Sequence, residues 1–192
     1  MVAVGACVAA TLVLLLVLRG TRFPAADSPE AGFARDMATH HAQAAEMAFI
    51  IRGASADERL RTLAYDIIVT QTAQRGVFMG WLQQWRVPQS SPGPRMAWMP
   101  GHAHGGSGGR MPGMASDTEL ERLRQATGRD AEILFPQLMI RHHEGGLDMA
   151  RAILALSDRE EVAAMARSIQ DSQAGEIALM TGMLTERGGK LP

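Results

Sequence analysis

The sequence predicts an all-α protein, a four-helix bundle made of two repeated helical hairpins, and three observations predict it. The first is an internal repeat in which residues match those 102 positions later without a gap. Phe33 pairs with Phe135, Ile51 with Ile153, Ser55 with Ser157, Ala64 with Ala166, Ile67 with Ile169, Gln71 with Gln173 and Leu82 with Leu184. About 14 of some 50 aligned positions are identical, against roughly three or four expected from composition, so a whole hairpin is duplicated. The second observation is a set of start and stop signals for four long helices. The third is the lack of any alternating apolar and polar run that would mark a half-buried strand.

The elements follow in order. Residues 1–22 read as a signal anchor or transmembrane helix, because Val2 to Leu18 are apolar and uncharged before Arg19 and Arg22. The arginines alone favour a cytoplasmic body by the positive-inside rule. The chemistry of the remaining chain favours export, and that is the reading adopted. The first hairpin occupies 23–87. Ser28-Pro29-Glu30 supplies an N-cap followed by proline at the first helical position, and this helix runs to about Arg52 before Gly53. Ser55 and Glu58 have the spacing of a capping box that opens a second helix reaching about Trp85, ahead of Pro88.

Residues 88–116 form a linker rich in Met, His, Gly and Pro, expected to be irregular and loosely ordered. The second hairpin occupies 117–187, and with the first it makes one domain over 28–187. Ser116 and Glu119 form another capping box before a short helix ending near Ala126. A long helix follows from about Asp130 to Leu156, then a last one opened by Ser157 and Glu160 and closed before Gly188. Neither hairpin can bury both faces of its helices alone. Packing the two copies about an approximate two-fold axis buries a common core.

Net charge is −1 and the basic residues are scattered, which excludes a nucleic-acid groove. The single cysteine, Cys7, lies in the apolar run, so the rest of the chain has neither thiol nor disulfide. The chemistry-bearing residues are histidines and methionines. Met37, His40, His41 and Met47 recur as Met139, His142, His143 and Met149. At about 100° per residue, each set falls within roughly a third of the helix circumference, on the face that must pack inward. Glu46 and Asp148 point the other way. The partner helices carry Gln71, Gln74, Phe78 and Trp81 in the first copy, and Gln173, Glu176, Met180 and Met183 in the second. The second copy is therefore the richer in potential ligands.

Imidazole suits copper, zinc and iron, whereas thioether selects soft reduced ions, Cu(I) above all. A His/Met set without cysteine thus reads as a copper site, with other transition metals as lesser candidates. The linker adds His102 and His104 to Met96, Met99, Met111 and Met114, a segment suited to capturing an ion. The competing reading is a non-catalytic structural or interaction domain. In it the histidines hydrogen-bond in the core, to Gln71, Gln173 or Glu176, or sense pH. Di-iron carboxylate chemistry requires Glu-x-x-His motifs, and the chain has none. Motifs for a phosphate loop or a zinc protease are equally missing.

Two segments carry a family resemblance. Met139-Ile-Arg-His142-His143 continues to Asp148-Met149-Ala150, and Ile169 to Gln173 leads into Glu176-Ile-Ala-Leu-Met180. These resemble the domain-of-unknown-function family 305, marked by a Met-Ile-x-His-His helix followed by a Gln-x-x-Glu-Ile helix. The resemblance covers most of residues 31–186. It implies a ferritin-like bundle, export or membrane attachment and, for some members, copper binding and tolerance. The first copy departs from that pattern at Gln74, Phe78 and Trp81.

Overall fold

The structure is a computed structural model that describes residues 23–91, 93–101 and 110–192. Among these the regular elements are all helical: α1 (Pro29–Ala54), α2 (Glu58–Gln84), α3 (Asp117–Gln125), α4 (Gly128–Leu156) and α5 (Glu160–Glu186). Residues 1–22, the expected anchor, lie outside the described residues. No described helix is long and apolar enough to cross a membrane.

Helix starts follow local chemistry. Ser28 caps α1, its hydroxyl accepting from the Ala31 amide at 3.2 Å, with Pro29 entering the first turn where no donor is needed. Ser116 and Glu119 form a reciprocal capping box at α3. The other two expected boxes are corrected. Asp57 caps α2, accepting from the Arg59 and Leu60 amides, and Arg159 stands at the cap of α5 without a side-chain cap bond. The serines tie the hairpins together instead. Ser55 donates to Glu132 at 2.7 Å, and Ser157 donates to Glu30 at 2.8 Å. Glu30 and Glu132 are themselves repeat partners, so these cross-ties obey the two-fold relation of the sequence.

Helices α1 and α4 run antiparallel along the seam between hairpins, and each buries a face against its own partner helix. Two apolar cores result. One gathers Met47, Ile51, Leu60, Ile67, Phe135, Met139, Met180 and Leu184; the other gathers Phe33, Met37, Phe78, Leu82, Met149, Ile153, Ala166 and Ile169. The repeat exchanges these lists almost member for member. Each core joins the start of one seam helix to the end of the other.

The linker differs from its expected looseness. Its described parts pack as a strap across both cores, Met96 and Met111 against the second and Ala115 against the first. Met96, Met111 and Ala115 are buried, and Trp98 meets Phe33 edge to face with ring centroids 5.6 Å apart. Asp36 accepts from the Met96 amide at 2.8 Å and from the Trp98 indole at 2.9 Å. Gln43 exchanges two bonds with the Ala115 backbone, at 2.7 and 3.0 Å. Glycines allow the close approach: a Cβ on Gly32 would stand 2.5 Å from the Trp98 ring, and one on Gly145 would strike the Pro112 carbonyl. Once those ties form, a Gly/Pro-rich composition no longer implies loose chain.

Candidate metal centre

Between the two apolar cores lies a polar layer, and it contains all four paired histidines. His40, His41, His142 and His143 are fully buried, and Gln71, Gln74 and Gln173 are buried beside them. The imidazoles sort into two classes. His40 and His142, equivalent by the repeat, meet where the seam helices cross, with ring centroids 3.7 Å apart and planes tilted by 36°. His41 and His143 turn outward to their own hairpins. His41 Nε2 bonds Gln74 Oε1 at 2.8 Å, and His143 Nε2 bonds Glu176 Oε2 at 2.5 Å. Adjacent helical positions diverge by about 100°, which produces this division.

His40 makes one further bond, from Nε2 to the Pro112 carbonyl of the strap at 3.0 Å. After these bonds, five imidazole nitrogens have no hydrogen-bond partner: Nδ1 of His40, His41 and His143, and both nitrogens of His142. Gln71 Oε1 and both ends of the Gln173 amide are also unpaired. Each such group costs about 1–3 kcal/mol when buried alone. Their concentration in one layer is the most unusual feature of the core.

Burial also sets the protonation state. Removal from water pushes His40 down to about 4 and His41 down to about 3, and pushes His142 well below its ordinary value. These three rings are neutral at physiological pH, which is the form that binds metals. The same shifts correct the expectation of pH sensing near neutrality, because these rings do not titrate there.

The methionines fall on either side of the layer. Met47, Met139, Met180 and Met183 belong to one core, and Met37, Met149, Met96 and Met111 to the other. Met139 and Met149 are ten residues apart on α4, about 15 Å along its axis, so they cannot serve one ion together. The workable combinations join helices: Met47 with Met139, or Met37 with Met149. Glu176, expected among the ligands, is engaged with the His143 ring. Of the capture segment, Met96 and Met111 are packed into the core, while His102 and His104 lie outside the described residues. Among the described residues, no three His, Cys, Asp or Glu side chains converge as a ready-made metal site. His40 and His142 meet ring to ring at a 36° tilt, while His41 and His143 turn outward to their own hairpins.

Some participants escaped sequence reasoning. Gln74, and not Gln71 or Gln173, holds a histidine, and it does so within its own hairpin. Its alignment with Glu176 was the available signal. The Pro112 carbonyl, a backbone group, leaves no sequence signal. Gly146 makes room for the Gln173 amide, which a Cβ there would strike.

Comparison with known proteins agrees with this architecture. The sequence matches the domain of unknown function DUF305 over residues 30–184. The chain belongs to the DUF305 family. A DUF305 protein from Streptomyces coelicolor, provisionally described as secreted, is 45% identical with a TM-score of 0.81; the match covers 88% of this chain and 99% of that one. A DUF305 fragment from Deinococcus radiodurans is 35% identical with a TM-score of 0.71, covering 85% and 99%. CopM in its Cu(II)-bound form is 28% identical with a TM-score of 0.66, covering 83% and 97%. A search among curated proteins returns no match.

Proposed function

We propose that this DUF305 protein is an extracytoplasmic copper-binding protein, held at the membrane by its N-terminal apolar run and acting in copper buffering or tolerance. The observation that carries the reading is the polar layer, where five buried imidazole nitrogens lack partners and thioethers flank them on both sides. Neutral imidazole and thioether together suit Cu(I). His142, His143, His40 and His41 are the nitrogen donors, with Met139 and Met47 on one side and Met37 and Met149 on the other. Met180 and Met183 lie in the first of these cores as further sulfur donors, and His102 and His104 would deliver ions from the linker. CopM, solved in Cu(II)- and Cu(I)-bound forms, supports copper as the ion. The Streptomyces relative's description and the apolar run support export.

An ion that binds only the folded chain raises its melting temperature by mass action, by about 2.7 kcal/mol at a hundredfold excess over Kd. For a domain of this size that is a rise of roughly 5–10 °C. The expected result is such a rise with Cu(I) or Ag(I), lost in His40→Gln/His142→Gln with helix content retained. A wild-type melt indifferent to both ions sinks the proposal.

A second reading is favoured by the Gln74 and Glu176 bonds: the layer is a purely structural polar seam that fixes register between hairpins. It predicts that the double variant loses stability with no change in metal response.

A further inference from the structure

The two outer histidines have unlike partners at equivalent places, and this carries an inference that rests on the copper reading above. We infer that Glu176 is a positioning residue that directs His143 to bind an ion through Nδ1, and that it makes the second hairpin the tighter half of the site.

The Pro112 carbonyl can only accept, so His40 must present Nε2–H to it at 3.0 Å. Glu176 as a carboxylate likewise accepts, so His143 presents Nε2–H at 2.5 Å. His41 faces the carbonyl end of Gln74 at 2.8 Å and takes the same form. In the neutral, metal-binding form each of these imidazoles carries one proton, and Nδ1 is then a bare lone pair. Those three Nδ1 atoms are the ones found buried without partners.

Carboxylate and amide then differ in strength. A carboxylate bonded to the far nitrogen of a ligating imidazole fixes its orientation and raises its basicity, and losing such a partner typically costs 10–100-fold in metal affinity. Gln74 supplies orientation with a neutral dipole only. Glu176 thus acts through His143 and does not itself ligate.

The test has two parts. In metal-free protein, long-range proton–nitrogen correlation of the imidazoles should show His40, His41 and His143 protonated at Nε2. Protonation at Nδ1 of His143 would overturn the inference whatever the copper result. Cu(I) affinity is then measured by competition with a chromogenic chelator. Glu176→Gln should weaken binding by about 10–100-fold, and Gln74→Glu should strengthen it. Glu176→Gln recreates a His–Gln contact this fold already holds at His41, so folding is expected to survive. Wild-type binding with unchanged affinity in both variants would refute the role of Glu176 alone. No wild-type binding would refute the copper reading, and this inference with it.

Discussion

The two hairpins descend from one pattern, and they differ most where the strap touches the first. Gly32, Asp36 and Gln43 seat Trp98, Met96 and Ala115, whereas their counterparts in the second hairpin are Leu134, Leu138 and Gly145. Gly145 contributes by lacking a side chain under Pro112. The central histidines share this asymmetry: His40 bonds the strap and His142 bonds nothing. Residue identities nevertheless match between the copies at the histidine pairs, at Gln71 with Gln173, and at Ser55 with Ser157. Duplication supplied a largely symmetrical interior, and part of the divergence follows the strap, which has no duplicate.

The largest expected effect concerns the part the copies share. In the unfolded chain the histidines titrate near 6.5, but in the folded chain His40 is held near 4, His41 near 3 and His142 well down. Below pH 6.5 the unfolded chain takes up protons that the folded chain refuses. Stability from this source is therefore complete above about pH 6.5 and falls as the pH drops towards 4. Each ring contributes a slope of up to about 1.4 kcal/mol per pH unit, so three remove several kcal/mol from a typical total of 5–15. Urea midpoints at pH 7.5 and 5.0 should differ sharply. Equal midpoints would mean that the layer is wetter than its burial implies.

The next effect tests the difference between copies. Asp36→Leu gives the first hairpin the residue its counterpart carries as Leu138. The Met96 amide and the Trp98 indole then lose their acceptor, at about 1–3 kcal/mol each. Burial pushes the Asp36 carboxyl up from its ordinary pKa, so removing it returns part of that cost. A net loss of about 2 kcal/mol is expected in urea unfolding, with Trp98 shifting its fluorescence as the strap lifts. Asp36→Asn keeps an acceptor and should lose less. A strap that stays seated in Asp36→Leu would show that apolar packing alone holds it.

These residues also mark how far the sequence was legible. The repeat offset and the 3.6-residue periodicity foretold the hairpins, the inward histidine face and the outward Glu46 and Asp148, because such features depend on local spacing. The strap is less legible in the sequence, for a physical reason. Composition records flexibility without recording what fills the space beside a glycine, as Gly32 against Trp98 and Gly145 against Pro112 show. Periodicity also places Met139 and Met149 on one face without giving their separation along the axis, since two residues on one face are not two residues at one height. Which of Gln71 and Gln74 reaches a histidine depends on the tilt of one helix against another, and spacing within either helix does not give that.

The smallest effect probes whether the symmetry is energetic as well as geometric. Ser55 and Ser157 occupy opposite ends of the seam, each bonding a glutamate of the other hairpin. Replacing a hydroxyl that satisfies a partly buried carboxylate costs about 1 kcal/mol. The two ends are not equal, however, because Glu132 also receives the Arg187 guanidinium at 3.2 Å, and Arg187 binds Asp57 as well. Glu132 therefore keeps a strong partner when Ser55 is removed. Ser157→Ala should cost the full amount and Ser55→Ala measurably less, and the double variant should show their sum, since sites at opposite ends share no partners. The reverse order in chemical denaturation would mean that the Arg187 network needs the serine to stay in place. The second hairpin's divergence at Arg187, where the first has Trp85, would then have made that end of the bundle the more fragile one.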